Sequence, residues 1–207
     1  MLVSAGCLVN AEDDQGNIPL HTATSACVAP LLSLGADANH SDRDGRTPLH
    51  KHDNTQEIEA LLQHGARVDA RDNLLRTPLM YAGQHTLPEK AKLLLGAGAD
   101  TNATDKNMMT PLHYVCGMYP TNESIFEDPP ETNWSCAISL IEHLIAVGAD
   151  VNAQNDLGNT PLHMLCQNDI HHVEMEDIVP CIEILVAKGA ITAVSYTHLT
   201  LPTNREV

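Results

Sequence analysis

Twelve histidines and six cysteines give this 207-residue chain ample donors for metal or thiol chemistry. His113-x-x-Cys116 and His163-x-x-Cys166 share one spacing, and His171-His172 lies in an acidic stretch. Zinc sites, however, draw close donor pairs from two converging segments. Here the six cysteines are scattered without a C-x-x-C pair, and both His-x-x-Cys pairs fall at the same place in a recurring phrase. A thiol at such a place serves as a small apolar packing group. The 27 acidic residues belong mostly to turns and solvated faces, and nothing sets two of them in one apolar pocket. No P-loop, Rossmann glycine run, nucleophile elbow or H-E-x-x-H motif occurs. The reading is of a non-enzyme that needs no metal and no cofactor.

The recurring phrase must come from recurring elements. Ile18-Pro19-Leu20-His21, Thr47-Pro48-Leu49-His50, Thr77-Pro78-Leu79-Met80, Thr110-Pro111-Leu112-His113 and Thr160-Pro161-Leu162-His163 repeat at intervals of 29, 30, 33 and 50 residues. Thr caps a helix through its hydroxyl, and Pro at the first helical position gives up an N–H that has no partner there. A second phrase precedes these openers: Gly35-Ala36-Asp37-Ala38-Asn39, Gly65-Ala66-Arg67-Val68-Asp69, Gly98-Ala99-Asp100-Thr101-Asn102 and Gly148-Ala149-Asp150-Val151-Asn152. Gly there suits a left-handed helix end, and Asp or Asn favours the turn that follows. Each unit thus reads as turn, helix, short loop, helix. One such pair cannot bury its apolar face alone, so neighbouring units must stack.

These two phrases, recurring in register, resemble the ankyrin repeat. The resemblance covers residues 1–191 and implies an all-α helical-repeat solenoid with short β-hairpin fingers. It divides the chain into a remnant of a preceding repeat (1–13) and a repeat domain (14–193) with units near 14–43, 44–72, 73–105, 106–155 and 156–191. It also implies a non-catalytic protein–protein interaction module that binds on the concave face of fingers and first helices. The motif histidine would bond between repeats, and the cysteine three residues on would occupy an alanine-like packing position. A second reading makes the array the recognition arm of a larger enzyme or ubiquitin-ligase receptor.

Departures from regularity locate the candidate site. Between opener and glycine lie 13, 14, 17, 34 and 25 residues in units one to five. Units one and two should therefore have lost part of a helix or loop, and Pro30 should kink or shorten the second helix of unit one. Unit four carries an insertion over 117–136 with Tyr119, Phe126 and Trp134, and inserted loops can carry specificity. Finger tips take Gly16, Gly45 and Gly158 in units one, two and five, but Leu75 and Met108 in units three and four. Bulky residues there cost strain if φ is positive. Leu74, Leu75, Met108 and Met109 would form an apolar centre rimmed by Arg71, Arg76 and Lys106.

The charge of −16 disfavours nucleic acid and points to a protein partner with a basic or apolar surface. No apolar run approaches a membrane span, and an intracellular protein, in cytoplasm or nucleus, is expected; the oligomeric state is left open, with a monomer favoured. Leu144, Asp150 and Val151 stand before Asn152 at the spacing preferred by the asparaginyl hydroxylase of ankyrin hairpins. Asn102 and Asn39 match that spacing less fully. The tail 194–207 resembles the in-frame translation of a sequencing-library adapter and is set aside as non-native.

Overall fold

The computed structural model describes residues 8–117, 134–167 and 175–190. Tyr119, Phe126, the histidine pair and the C-terminal tail lie outside these residues. A 3-10 turn at Pro19–His21 leads into α1 (Ser25–Ser33), α2 (Pro48–Lys51), α3 (Thr55–Gln63), α4 (Pro78–Gln84), α5 (Pro88–Gly96), α6 (Pro111–Cys116), α7 (Trp134–Ala146), α8 (Pro161–Gln167) and α9 (Met175–Ala187). Every Pro-Leu opener begins a helical element at its proline. The even-numbered helices stack on one another behind the 3-10 turn, and the odd-numbered helices stack beside them. Two helical layers result.

The opener leucines Leu20, Leu49, Leu79, Leu112 and Leu162 are all essentially inaccessible, as are Ile58, Leu61, Leu94 and Leu144 from the second layer. They belong to one continuous core. Each second helix ends in the same double bond, for example Ala99 N–H to the Leu94 carbonyl and Gly98 N–H to that of Leu95. That is a Schellman stop, and the glycines of all five stops have positive φ. Gly83 serves differently: a Cβ there would come within 3.0 Å of the Pro111 carbonyl, so its absence lets α4 press against α6.

Units one and two are indeed truncated, with three and four residues in the first element against seven in α4. The lost turns leave carbonyls pointing into the stack. His52 Nε2 donates to the Leu20 carbonyl at 2.7 Å while its Nδ1 pairs with Glu57, which also accepts from Ser25. One unit further on, Lys90 reaches back from α5 to the His50 carbonyl at 3.1 Å and to Asp53 at 2.9 Å. Its side chain is wholly buried, and burial pulls its pKa down while Asp53 acts the other way. Polar side chains from the next repeat replace the missing helical turns.

Pro30 does not shorten its helix, contrary to expectation. α1 has nine residues, the same as α3 and α5. Pro30 and Ala26 both lie on the exposed side, so the ring meets solvent and the carbonyl left without its helical N–H can be hydrated. In units four and five part of the inserted sequence lengthens the second helix, to 13 residues in both α7 and α9. The fingers close as tight turns, and among the described residues none forms a strand.

Candidate functional site

Each finger is built on one acidic or amide residue. Asp42 Oδ1 accepts the N–H groups of Asp44 and Arg46, and Asp72 those of Leu74 and Arg76. Asp13, Asp105 and Asn155 do the same in their own fingers. The second carboxylate oxygen is then taken by a residue nine positions on, in the first helix. Lys51 contacts Asp42 at 2.8 Å, while the Tyr81 and Tyr114 hydroxyls each donate over 2.9 Å, to Asp72 and Asp105. Burial pushes both phenols up, Tyr81 to about 12. Burial also opposes ionisation of Asp42 and Asp72, but hydrogen bonds from Lys51 and Arg46 to Asp42, and from Arg76 and Tyr81 to Asp72, hold both below the usual carboxylate range. The finger is latched to its helix.

The motif histidines join each finger to the next. His50 Nδ1 accepts the Thr47 N–H at 3.1 Å, and Nε2 faces the Arg76 carbonyl at 3.1 Å. A carbonyl cannot donate, so the proton is on Nε2 and the ring is neutral. His21 and His113 repeat both contacts, to the Arg46 and Asn159 carbonyls. The threonine hydroxyl turns to the same Nδ1, at 2.8 Å in the Thr110–His113 pair. Its contact with the helix N–H is long, 3.4 Å at His113. The threonine therefore works chiefly as the partner of the histidine ring, and only marginally as the helix cap expected of it. Cys116, three residues beyond His113, is fully buried and its thiol is pushed well up, away from thiolate chemistry. Among the described residues no three His, Cys, Asp or Glu converge on a point that could hold a metal.

Asn39, Asn102 and Asn152 stand in a ladder along the turns. Asn102 donates to the Gly148 carbonyl at 3.0 Å and accepts from the Asp150 N–H at 2.8 Å; Asn39 makes the same pair with Gly65 and Arg67. Asn152 donates to the Gly189 carbonyl at 3.0 Å. Asp69 occupies this place in unit two and can only accept, from Asp100.

Of the proposed contact residues, Leu74, Leu75 and Met108 project from the finger tips, 50%, 39% and 53% exposed. Leu75 and Met108 have φ of 62° and 59°. Gly16, Gly45 and Gly158 hold the same place with φ between 77° and 80°. Lys106 is exposed beside Leu74, to whose carbonyl its N–H donates. Met109 is half-buried against Asn155, whose amide reaches its sulfur. Arg76 is committed inward, to Asp72 at 2.8 Å and to the Tyr81 hydroxyl at 2.6 Å, with its guanidinium 4.6 Å from the Tyr81 ring centre. Trp134 is corrected outright. It opens α7 and is 7% exposed, so it belongs to the core and not to a contact surface.

Three residues joined to this face escaped sequence reading. Leu157, 79% exposed at the tip of finger five, adds a third apolar finger. Tyr81 and Tyr114 form the floor beneath the tips, and the nine-residue offset from the finger aspartate was the signal that could have found them. Next to the fingers' bases, a cavity of about 330 Å³ lies among Ser41, Thr47, Arg67, Asp69, Ala70 and Arg71. Arg71 is partly spent on the Thr104 carbonyl there.

Two helical layers with latched fingers define a helical-repeat solenoid. The family model for ankyrin repeats, in three copies, matches residues 24–105, and this segment of the chain is an array of ankyrin repeats. Ankyrin repeats are in general protein–protein interaction modules. Among the described residues no helix is long and apolar enough to cross a membrane.

Proposed function

We propose that the chain binds a protein partner across the tips of fingers three to five, with Leu74, Leu75, Met108 and Leu157 as the apolar contacts. Arg76, Tyr81 and Tyr114 form the floor of this site. The observation that carries this reading is the backbone at Leu75 and Met108. Both hold left-handed conformations that cost an L-residue about 1–2 kcal/mol, at places where three sister fingers use glycine. Side chains kept under strain and pointed at solvent do nothing for the core. Strain of that kind belongs to sites of use. The floor adds preorganisation: the Arg76–Asp72–Tyr81 and Tyr114–Asp105 contacts fix the side-chain types that most often dominate interfaces, before any partner arrives.

Affinity purification with cross-linking, run side by side on the native chain and on a Leu75→Gly/Met108→Gly variant, tests the proposal. Partners cross-linked near Lys106 should be recovered with the native chain and lost with the variant. An unchanged partner set would refute it. Glycine suits the local backbone, so misfolding does not cloud the result.

A further inference from the structure

The turn closing unit two carries Arg67, Asp69 and Arg71 at alternate positions. Unit three has Asp100, Asn102 and Thr104 at the same places, and units one and four also begin with Asp and Asn. The exchanges at Arg67 and Asp69 each give up a local bond. Asp37, Asp100 and Asp150 accept, through Oδ1, the N–H two residues on, at 2.8–2.9 Å. Arginine has no acceptor, so that bond cannot form at Arg67. Asp69 forgoes the amide donor by which Asn39 and Asn102 reach the next glycine carbonyl. Neither exchange serves the fold.

All three residues line the cavity of about 330 Å³ beside the finger bases. That volume lies at the lower end of small-ligand pockets, about 300–1,000 Å³. Arg67 and Arg71 are both exposed. Among the described residues neither enters an ion pair, whereas Arg46 and Arg76 are held by Asp42 and Asp72. Arg71 Nη1 donates to the Thr104 carbonyl at 3.0 Å, which orients the guanidinium without neutralising it. Asp69 is engaged by the Asp100 N–H at 3.1 Å. Two guanidinium groups against one carboxylate leave the pocket with a single excess positive charge, in a chain whose net charge is −16. The Ser41 hydroxyl adds a neutral donor on the opposite wall.

We infer that this pocket takes the carboxylate of an Asp or Glu side chain from an acidic segment of a protein partner, held by Arg67 and Arg71 with Ser41 donating. Guanidinium forks match a carboxylate in two parallel bonds. One carboxylate neutralises the excess charge, whereas a dianionic phosphate would leave an uncompensated negative charge beside Asp69. The pocket uses none of the finger-tip side chains, so either site can exist without the other.

Selection of binders to the full chain from an unbiased library of short peptides, with affinities then measured on an Arg67→Asp/Arg71→Thr variant, tests this. The variant takes the residues that unit three carries at these places and regains the turn bond, so its melting temperature should hold or rise. Peptides rich in Asp or Glu should be enriched on the native chain. They should lose about tenfold or more in affinity for the variant, and as much when the key acidic residue is replaced by its amide, because charge-assisted bonds are lost in both cases. A selection without acidic residues, or acidic peptides indifferent to the variant, would overturn the pocket and leave the finger-tip site standing. Displacement of the bound peptide by inorganic phosphate, beyond that by chloride at equal ionic strength, would overturn the carboxylate as its ligand.

Discussion

Protonating His50 would place a hydrogen on Nδ1, where the Thr47 N–H already points. Burial, as the largest cause, with the Lys90 and Arg76 charges adding to it, lowers its pKa from 6.5 to about 4. For a depressed histidine the stabilisation is complete above the unfolded value and is lost as the pH falls from 6.5 towards 4. About 2.5 units correspond to roughly 3 kcal/mol. Burial shifts His21 and His113 the same way. Urea unfolding at pH 7.5, 6 and 4.5 should show steep acid destabilisation. His50→Met should be less stable at pH 7.5 but lose less between pH 6.5 and 4.5, because Met80 already fills this place in unit three with a sulfur that carries no proton. The tips make the opposite kind of prediction. Leu75→Gly relieves about 1–2 kcal/mol of left-handed strain and adds 0.5–1 kcal/mol of chain entropy loss, roughly. Its melting temperature should therefore hold or rise while binding falls.

At the scale of elements, the stack holds wherever one repeat supplies what its neighbour lacks. Lys90 completes the truncated α2 by donating to the His50 carbonyl. Lys90→Met leaves that carbonyl without its donor, and thermal unfolding should report a loss of about 1–3 kcal/mol. Lys92→Met, on the exposed side of the same helix, should stay within about 0.5 kcal/mol. The turn ladder has one weak rung at Asp69, which offers no donor to the next turn. Asp69→Asn should add a bond to the Gly98 carbonyl like that from Asn102 to Gly148. The expected gain is about 0.5–1.5 kcal/mol in chemical denaturation.

Over the whole molecule, stability in a solenoid is a sum of units and their nearest-neighbour interfaces. Units one and two have first elements of three and four residues and lean on buried polar contacts, whereas α4 and α6 are longer and packed closely through Gly83. Native-state hydrogen exchange should therefore find the amides of the 3-10 turn, α1 and α2 opening before those of α4, α5 and α6. Uniform protection across these units would contradict the graded stack. The proposed finger-tip site begins on these longer, closely packed first helices, which give exposed side chains a firmer base than units one and two would.

The repeated phrases were enough to read the class of fold, the helix openers and the helix stops, because capping and turn chemistry act within a few residues and leave their mark in the spacing. Truncation of the first two units was legible for the same reason, as was the odd choice of Leu75 and Met108 at the tips. Tertiary structure alone decided how those features are used. Trp134 read as a loop aromatic and became core, since part of the insertion joined α7. Arg76 read as a rim charge and turned inward to Asp72 and Tyr81. Pro30 read as a residue that kinks or shortens its helix, yet α1 keeps nine residues with the proline on a solvated face. Leu157 joins the candidate site only once successive fingers lie side by side. Contacts between units depend on which face of each helix the stack buries, and one repeat's sequence does not contain the surface of the next.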